Sequence, residues 1–144
     1  MPDNDDIDSI AAQLELQQAK GEAIRQQMQN MQASMLEVTA AMEAIRNLKN
    51  AGKDVLVPVG AGAYISCPKP DTERVVVGIG ANLMVQKKPE EALKLMEERQ
   101  KMLANAVKAA QEDLEMVVKE IDELSKRASL LASGANQNVR ASKG

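Results

Sequence analysis

Residues 57–65 read VPVGAGAYI and residues 75–85 read VVVGIGANLMV. A shift of 18 positions lays Val, Val, Gly, Gly and Ala of one upon those of the other. A G-x-G after an apolar run is how a phosphate-cradling loop begins, and it is equally how a tight turn between two strands is made. The nucleotide reading needs a third glycine and a helix immediately after the loop. Ile65 and Leu83 stand where that glycine belongs, apolar β-formers resume at once, and neither stretch ends in the Lys-Ser/Thr of a P-loop. Glycine tolerates positive φ, which a tight turn demands. The reading adopted is two tandem β-hairpins, Val55–Val59 pairing with Ala63–Cys67 and Arg74–Ile79 with Asn82–Gln86.

The surrounding composition restricts the chemistry. The chain of 144 residues carries a net charge of −3 and only 1% aromatic residues, with one Tyr and no Phe or Trp. Ala, Met, Leu, Gln, Glu and Lys dominate, the composition of long helices and coiled coils. There is no histidine, so no imidazole base or ligand, and the single Cys67 forms no intrachain disulfide. Cys67 reads as a small buried hydrophobe, and Tyr64 as buried strand packing. No catalytic residue, metal ligand or cofactor site is expected. The balance of charge indicates no nucleic acid and no membrane surface. No run of about 18 apolar residues offers a transmembrane helix, and the acidic start MPDNDDID lacks a signal-peptide hydrophobic region. A cytoplasmic location is the default.

On either side of the hairpins runs a heptad seam. Ile7, Ile10, Leu14, Gln17, Gly21, Ile24, Met28, Met31, Met35, Val38, Met42 and Ile45 follow alternating steps of three and four, with Gln17 and Gly21 the two interruptions. Asp5, Asp6 and Asp8 favour the helix start, and Asn50-Ala51-Gly52 should close it with glycine past the end. After Lys87-Lys88, Pro89-Glu90-Glu91 is a strong helix start. It leads into Leu93, Met96, Gln100, Leu103, Val107, Ala110, Leu114, Val117, Ile121, Leu124, Ala128 and Leu131, and Ser133-Gly134 should end that helix. Each helix would be roughly 65 Å long. The two seams match antiparallel: Ile45 with Leu93, Met42 with Met96, Met28 with Ala110, Gly21 with Val117, Ile7 with Leu131. Large faces small in several layers.

The expected organisation is thus one domain over 1–144: a coiled-coil helix over 6–50, tandem hairpins over 54–87, a second coiled-coil helix over 89–132, and a flexible tail over 133–144. The fold class is mainly α with small β, a long antiparallel coiled-coil hairpin. Isolated hairpins are marginal in water and exposed edges invite pairing. Hairpins from several chains closing into a barrel would remove those edges. An oligomer is therefore expected, with Val57, Val59, Tyr64, Ile65, Val75, Val77, Ile79, Leu83 and Val85 as its contact residues. The methionines Met28, Met31, Met35 and Met42 read as seam packing. A soft surface for varied partners is the alternative for them. The charge-rich stretch Glu112–Lys126 reads as a solvated face.

A heptad helix, VLVPVGAGAYI, VVVGIGANLMVQKKPEEAL and a matched heptad helix together resemble the α-type subunits of the prefoldin family, from about Ile7 to Leu131. Four strand-like runs rather than two point to the α type. The resemblance implies a hexamer of two α and four β subunits, with a double β-barrel body and six coiled-coil arms. It implies an ATP-independent chaperone that captures non-native proteins near the arm tips and hands them to a group II chaperonin. Client-binding residues expected at the tips are Ile7, Ile10, Leu14, Leu124, Leu130 and Leu131. Each can equally be a last layer of the seam. The proline-rich connection Pro68-Lys69-Pro70-Asp71-Thr72 departs from a plain strand link, since proline cannot donate to a ladder. The alternative function is a coiled-coil tether or scaffold subunit without chaperone activity. It explains the heptads but leaves the hairpins idle.

Overall fold

A computed structural model describes the backbone over residues 4–142 and the side-chain surroundings over residues 6–134. Among these residues the order is helix α1 (Asn4–Arg46), a 3₁₀ turn (Leu48–Asn50), strands β1 (Asp54–Gly60), β2 (Ala63–Pro68), β3 (Val75–Gly80) and β4 (Leu83–Lys87), then helix α2 (Pro89–Ser142). The fold is mainly α with two small antiparallel hairpins between two long helices. It divides into two compact units. One holds the residues up to Gln32 and from Asn105 onward, the other residues 33–104.

In the first unit the heptad positions are the ones withdrawn from water. Ile10, Gly21, Ala110, Val117 and Leu124 are buried, and Ile7, Leu14, Gln17, Ile24, Met28, Leu114, Ile121, Ala128 and Leu131 are half-buried. The antiparallel register is visible at Gly21. A Cβ built there would lie 3.3 Å from Val117 Cγ1 and 3.9 Å from Leu114 Cδ1. Only glycine admits that approach without displacing the partner side chain.

The second unit holds a cluster of buried apolar residues that spans helix and sheet: Met42, Val77, Ala92 and Met96, with Val38, Ala41, Ile45, Val75, Leu93 and Leu95 packed around it. Met42 and Met96 belong to the same expected layer. Beside them Gln100 Nε2 donates to Thr39 Oγ1 at 3.4 Å. Pro89 opens α2, where its missing N–H is no loss and its φ suits the helix. The Ala92 N–H donates to the Lys88 carbonyl at 2.9 Å, so Lys88 is the capping residue.

The hairpins pair nearly as expected. Val55 faces Cys67, Val57 faces Ile65 and Pro58 faces Tyr64 in β1–β2. Val75 faces Lys87, Val77 faces Val85 and Gly78 faces Met84 in β3–β4. The connecting loops are Ala61-Gly62 and Ala81-Asn82, all four at positive φ between +51° and +76°. That is the two-residue turn whose twist suits a hairpin. Each hairpin shifts register just before its turn, between Pro58 and Gly60 and between Gly78 and Gly80. Gly60 (φ +109°) and Gly80 (φ +104°) follow the extra residues. Structural equivalence therefore joins Gly60 to Gly80 and Ala61 to Ala81, 20 positions apart, rather than the 18 of the sequence match. Asn82, expected as the first residue of a strand, is a turn residue; its short polar side chain tolerates the left-handed region.

Two helix ends differ from expectation. The first helix was expected through residue 50, with Gly52 in a left-handed cap. Instead α1 stops at Arg46 and tightens into the 3₁₀ turn, where the Asn50 N–H donates to the Asn47 carbonyl (3.0 Å) and the Ala51 N–H to the Leu48 carbonyl (3.3 Å). These bonds satisfy carbonyls that a helix end leaves open. The chain then leaves through an extended Ala51 (φ −60°, ψ 133°), so no glycine cap is required. At the other end α2 does not stop at Ser133-Gly134 to leave a flexible tail; its helix continues to Ser142. One glycine costs about 1 kcal/mol in a helix but does not break it, and no proline follows. Of that expected tail, Lys143 and Gly144 lie outside the described residues, as do Met1–Asp3 at the start.

Candidate functional site

Two surfaces hold the residues that the sequence singles out. The first is the hairpin surface of the second unit. In β1–β2, Val55, Val57, Ile65 and Cys67 share one face, while Leu56, Pro58 and Tyr64 share the other, by strand alternation. Both faces are apolar, yet only Val55 and Cys67 are even half-buried. Val57, Val59 and Ile65 are exposed, and Tyr64 is 60% exposed rather than packed as expected. Its cross-strand neighbour is Pro58, and nothing in the second unit buries this hairpin. Leu56, at 68%, is an exposed apolar residue the sequence reading missed. Its signal was the unbroken apolar run VLVPV, which marks a strand buried on both faces rather than one.

The second hairpin is different because one of its faces is already used. Val77 is 3% exposed, against Met42, Ala92 and Met96, and Val75 and Val85 are half-buried. Val77 was expected among the residues contacting other chains; its own helices cover it, since it shares the helix-facing side of the hairpin with Val75 and Val85. Ile79, two residues on, is 50% exposed, because the register shift between Gly78 and Gly80 takes it out of the alternation. Leu83 is exposed, and so are Val76 and Met84, which the sequence reading did not name. Arg99 on α2 ties this hairpin down by donating from Nη2 to the Gly78 carbonyl. Lys49 Nζ lies 3.8 Å from Glu90 Oε1. Both groups are exposed, a geometry worth about 0–1 kcal/mol.

The second surface is the end of the helix pair in the first unit. The six residues expected to meet a client are brought together there, but most of them face each other. Leu124 is 2% exposed and Ile10 4%; Ile7, Leu14 and Leu131 are half-buried. Leu130 alone of the six is well exposed, at 72%. It borders a shallow cleft with Ile10, Leu131, Asp6, Gln13 and Arg127. The same unit contains an i,i+4 pair, Lys126 Nζ to Asp122 Oδ2 at 3.0 Å. Its hydrogen bond and the carboxylate charge hold the Lys126 ammonium above the usual lysine range.

Neither G-x-G stretch runs into a helix: both are hairpin ends, with Gly60, Gly62 and Gly80 at positive φ. Among the described residues there is no cluster of three or more His, Cys, Asp or Glu able to hold a metal. Nor is any helix long and apolar enough to cross a membrane.

Comparison with known proteins agrees with this architecture. A family model described as Prefoldin subunit matches residues 17–133. The chain is 33% identical to prefoldin subunit alpha of Methanosphaera stadtmanae over 98 residues, covering 67% of this chain and 70% of that one. It is 29% identical to prefoldin subunit alpha of Methanobrevibacter smithii over 138 residues, covering 94% and 93%. Among solved structures it is similar to a chain of filamentous PFD from Methanocaldococcus jannaschii, with TM-score 0.68, 25% identity, and 78% of this chain and 95% of that one covered. The prefoldin beta subunit from a Thermococcus strain shares the fold, with TM-score 0.60 and 18% identity, over 87% and 90% of the two chains.

Proposed function

The chain belongs to the prefoldin family, and from that footing we infer that it is an α-type subunit of an ATP-independent holdase chaperone. Its hairpins join those of β-type subunits in a closed β-barrel platform, two α chains with four β. The helix pairs project from the platform as arms. The arm ends that carry the chain termini hold non-native proteins, and the cargo passes to a group II chaperonin in the cytoplasm. The function is binding and release rather than catalysis.

The observation that carries this reading is the first hairpin. An isolated two-stranded hairpin is marginal in water. Here Leu56, Val57, Val59, Tyr64 and Ile65 stand exposed on a strand pair whose outer edges have no partner strand among the described residues. Burial of each large apolar side chain contributes up to about 1.5–3 kcal/mol, so covering this surface with neighbouring hairpins stabilises an assembly strongly. The arm ends supply the complementary property. A few aliphatic side chains per arm bind weakly, and several arms acting together bind avidly while each remains easy to release.

The test is suppression of aggregation of a chemically denatured protein by this chain mixed with a β-type subunit. The expected result is protection that survives ATP depletion and EDTA. Protection that disappears under either treatment contradicts a nucleotide-free, metal-free holdase. Absence of protection by a fully formed assembly leaves the chain a scaffold.

A further inference from the structure

Both strands of the first hairpin contain a proline, and the backbone places each where it costs the hairpin's own ladder nothing. The Lys69 N–H donates to the Lys53 carbonyl at 2.7 Å, one step before Asp54 faces Pro68. An antiparallel ladder alternates pairs that bond each other with pairs whose N–H and C=O groups point away from the partner strand. Counting from Lys53–Lys69, the pairs Val55–Cys67 and Val57–Ile65 bond each other, and Asp54–Pro68, Leu56–Ser66 and Pro58–Tyr64 point outward. The missing N–H of each proline is therefore a gap in an outer edge rather than in the hairpin. On β1 the gap lies beside the turn, at Pro58. On β2 it lies at the end away from the turn, at Pro68.

The second hairpin has no proline in its strands, yet it closes the same places. The outward pair Gly78–Met84 stands 20 positions after Pro58–Tyr64, and the Gly78 carbonyl is taken by Arg99 Nη2 from α2. Lys88 stands 20 positions after Pro68, just beyond β4, and its carbonyl is taken by the Ala92 N–H at 2.9 Å. In both hairpins the first strand is thus open to a neighbour only away from the turn, at Leu56 and Val76. The second strand is open only toward the turn, at Tyr64, Ser66, Met84 and Gln86.

We propose that Pro58, Pro68, Arg99 and Lys88 set the register of the assembly by closing one end of each outer edge, so that antiparallel strands of β-type subunits add along the open parts. A strand beside β1 or β3 is displaced away from the turn, and one beside β2 or β4 toward it. The strands therefore climb in one sense across each hairpin. A sheet needs such a stagger to close into a barrel. The chain has four such edges, and a twofold contact with a second copy occupies one per chain. The remainder need strands from a different subunit, and the Thermococcus beta subunit shares this fold. The closed places stand on the backbone alone; their role in assembly rests on the platform reading above.

Hydrogen exchange resolved amide by amide, on the full chain alone and in complex with a β-type prefoldin subunit, tests this. Complex formation is expected to slow the amides of Leu56, Val76, Tyr64, Ser66, Met84 and Gln86 by about tenfold or more, as each gains a hydrogen-bond partner. The amides of Gly78 and Lys88 are expected to exchange at the same rate in both samples. Arg99→Met frees the Gly78 carbonyl, and its complex is expected to slow the Gly78 amide by about tenfold as well. Arg99→Lys, which can still donate to that carbonyl, is expected to leave the Gly78 amide fast. Gly78 and Lys88 amides that slow in the unaltered complex as much as their neighbours overturn the proposal. So does an Arg99→Met complex in which the Gly78 amide stays fast, since Arg99 would then only brace the hairpin. Full protection of the six open-edge amides already in the chain alone assigns the edges to a second copy and overturns the choice of partner. No complex, with no slowing at any of them, removes the platform reading itself.

Discussion

Val77 and Ile79 are two residues apart in one strand and belong to different surfaces. Strand alternation puts them on one face, and from sequence both read as contacts to other chains. The register shift before the turn separates them: Val77 completes the core under Met42, Ala92 and Met96, and Ile79 stays half in water. Val77→Asp should therefore bury an unpaired carboxylate and destabilise the chain itself, by about 3 kcal/mol or more. Ile79→Asp should alter the chain's own stability by about 0.5 kcal/mol or less, yet weaken assembly. Thermal melts of both variants, beside their sizing profiles, check the distinction; equal melting temperatures would contradict it. The turn residues offer a second check. Ala81 sits at φ +51°, a region costly for any side chain. Ala81→Gly should raise stability by about 0.5–1 kcal/mol in denaturant titration, after allowing for the freer unfolded chain. The glycines and apolar runs made the turns legible before the structure was known. The bulges were not, because an extra residue in a strand leaves no mark on hydrophobic alternation until the turn geometry is seen.

The helices were the most legible elements, since their seams repeat over many turns and every expected seam position is buried or half-buried. Their ends were less so. Gly52 and Gly134 are ordinary stop signals, but one lies beyond a 3₁₀ turn that had already closed the helix, and the other is carried through inside a longer helix. A stop signal is a small local preference, and neighbouring hydrogen bonds outweigh it. Matching the seams also supplied the register, and one layer can test it by itself. Gly21→Leu should destabilise the first unit by about 1–3 kcal/mol through overpacking against Val117. Val117→Ala should relieve much of that penalty in the double variant, giving a coupling energy of about 1 kcal/mol in a double-mutant cycle. Strictly additive effects would mean the two residues do not share a layer. The expected client residues illustrate the opposite limit of sequence reading. Heptad position located Ile10 and Leu124 correctly at the helix ends. It could not say how far the last layers close, and replacing Ile10 with Ser would remove core packing as well as the client contact proposed for it.

At the scale of the molecule, one pattern unites these details: the second hairpin is half covered by its own helices, and in the first only Val55 and Cys67 are even half-buried. Leu56, Val57, Tyr64 and Ile65 expose apolar surface on both faces of a two-stranded sheet, a state that a chain alone in water holds poorly. The chain belongs to the prefoldin family, and that imbalance is the ground for the assembly through the hairpins proposed above. Composition foreshadowed it, because a chain with 1% aromatic residues has little from which to build a self-sufficient core. Native mass spectrometry of the chain, alone and mixed with a β-type prefoldin subunit, tests this claim most directly. A discrete complex of two α and four β chains is expected from the mixture, lost when Ile79 is replaced with Asp. A chain that remains a folded monomer in both samples would contradict the account.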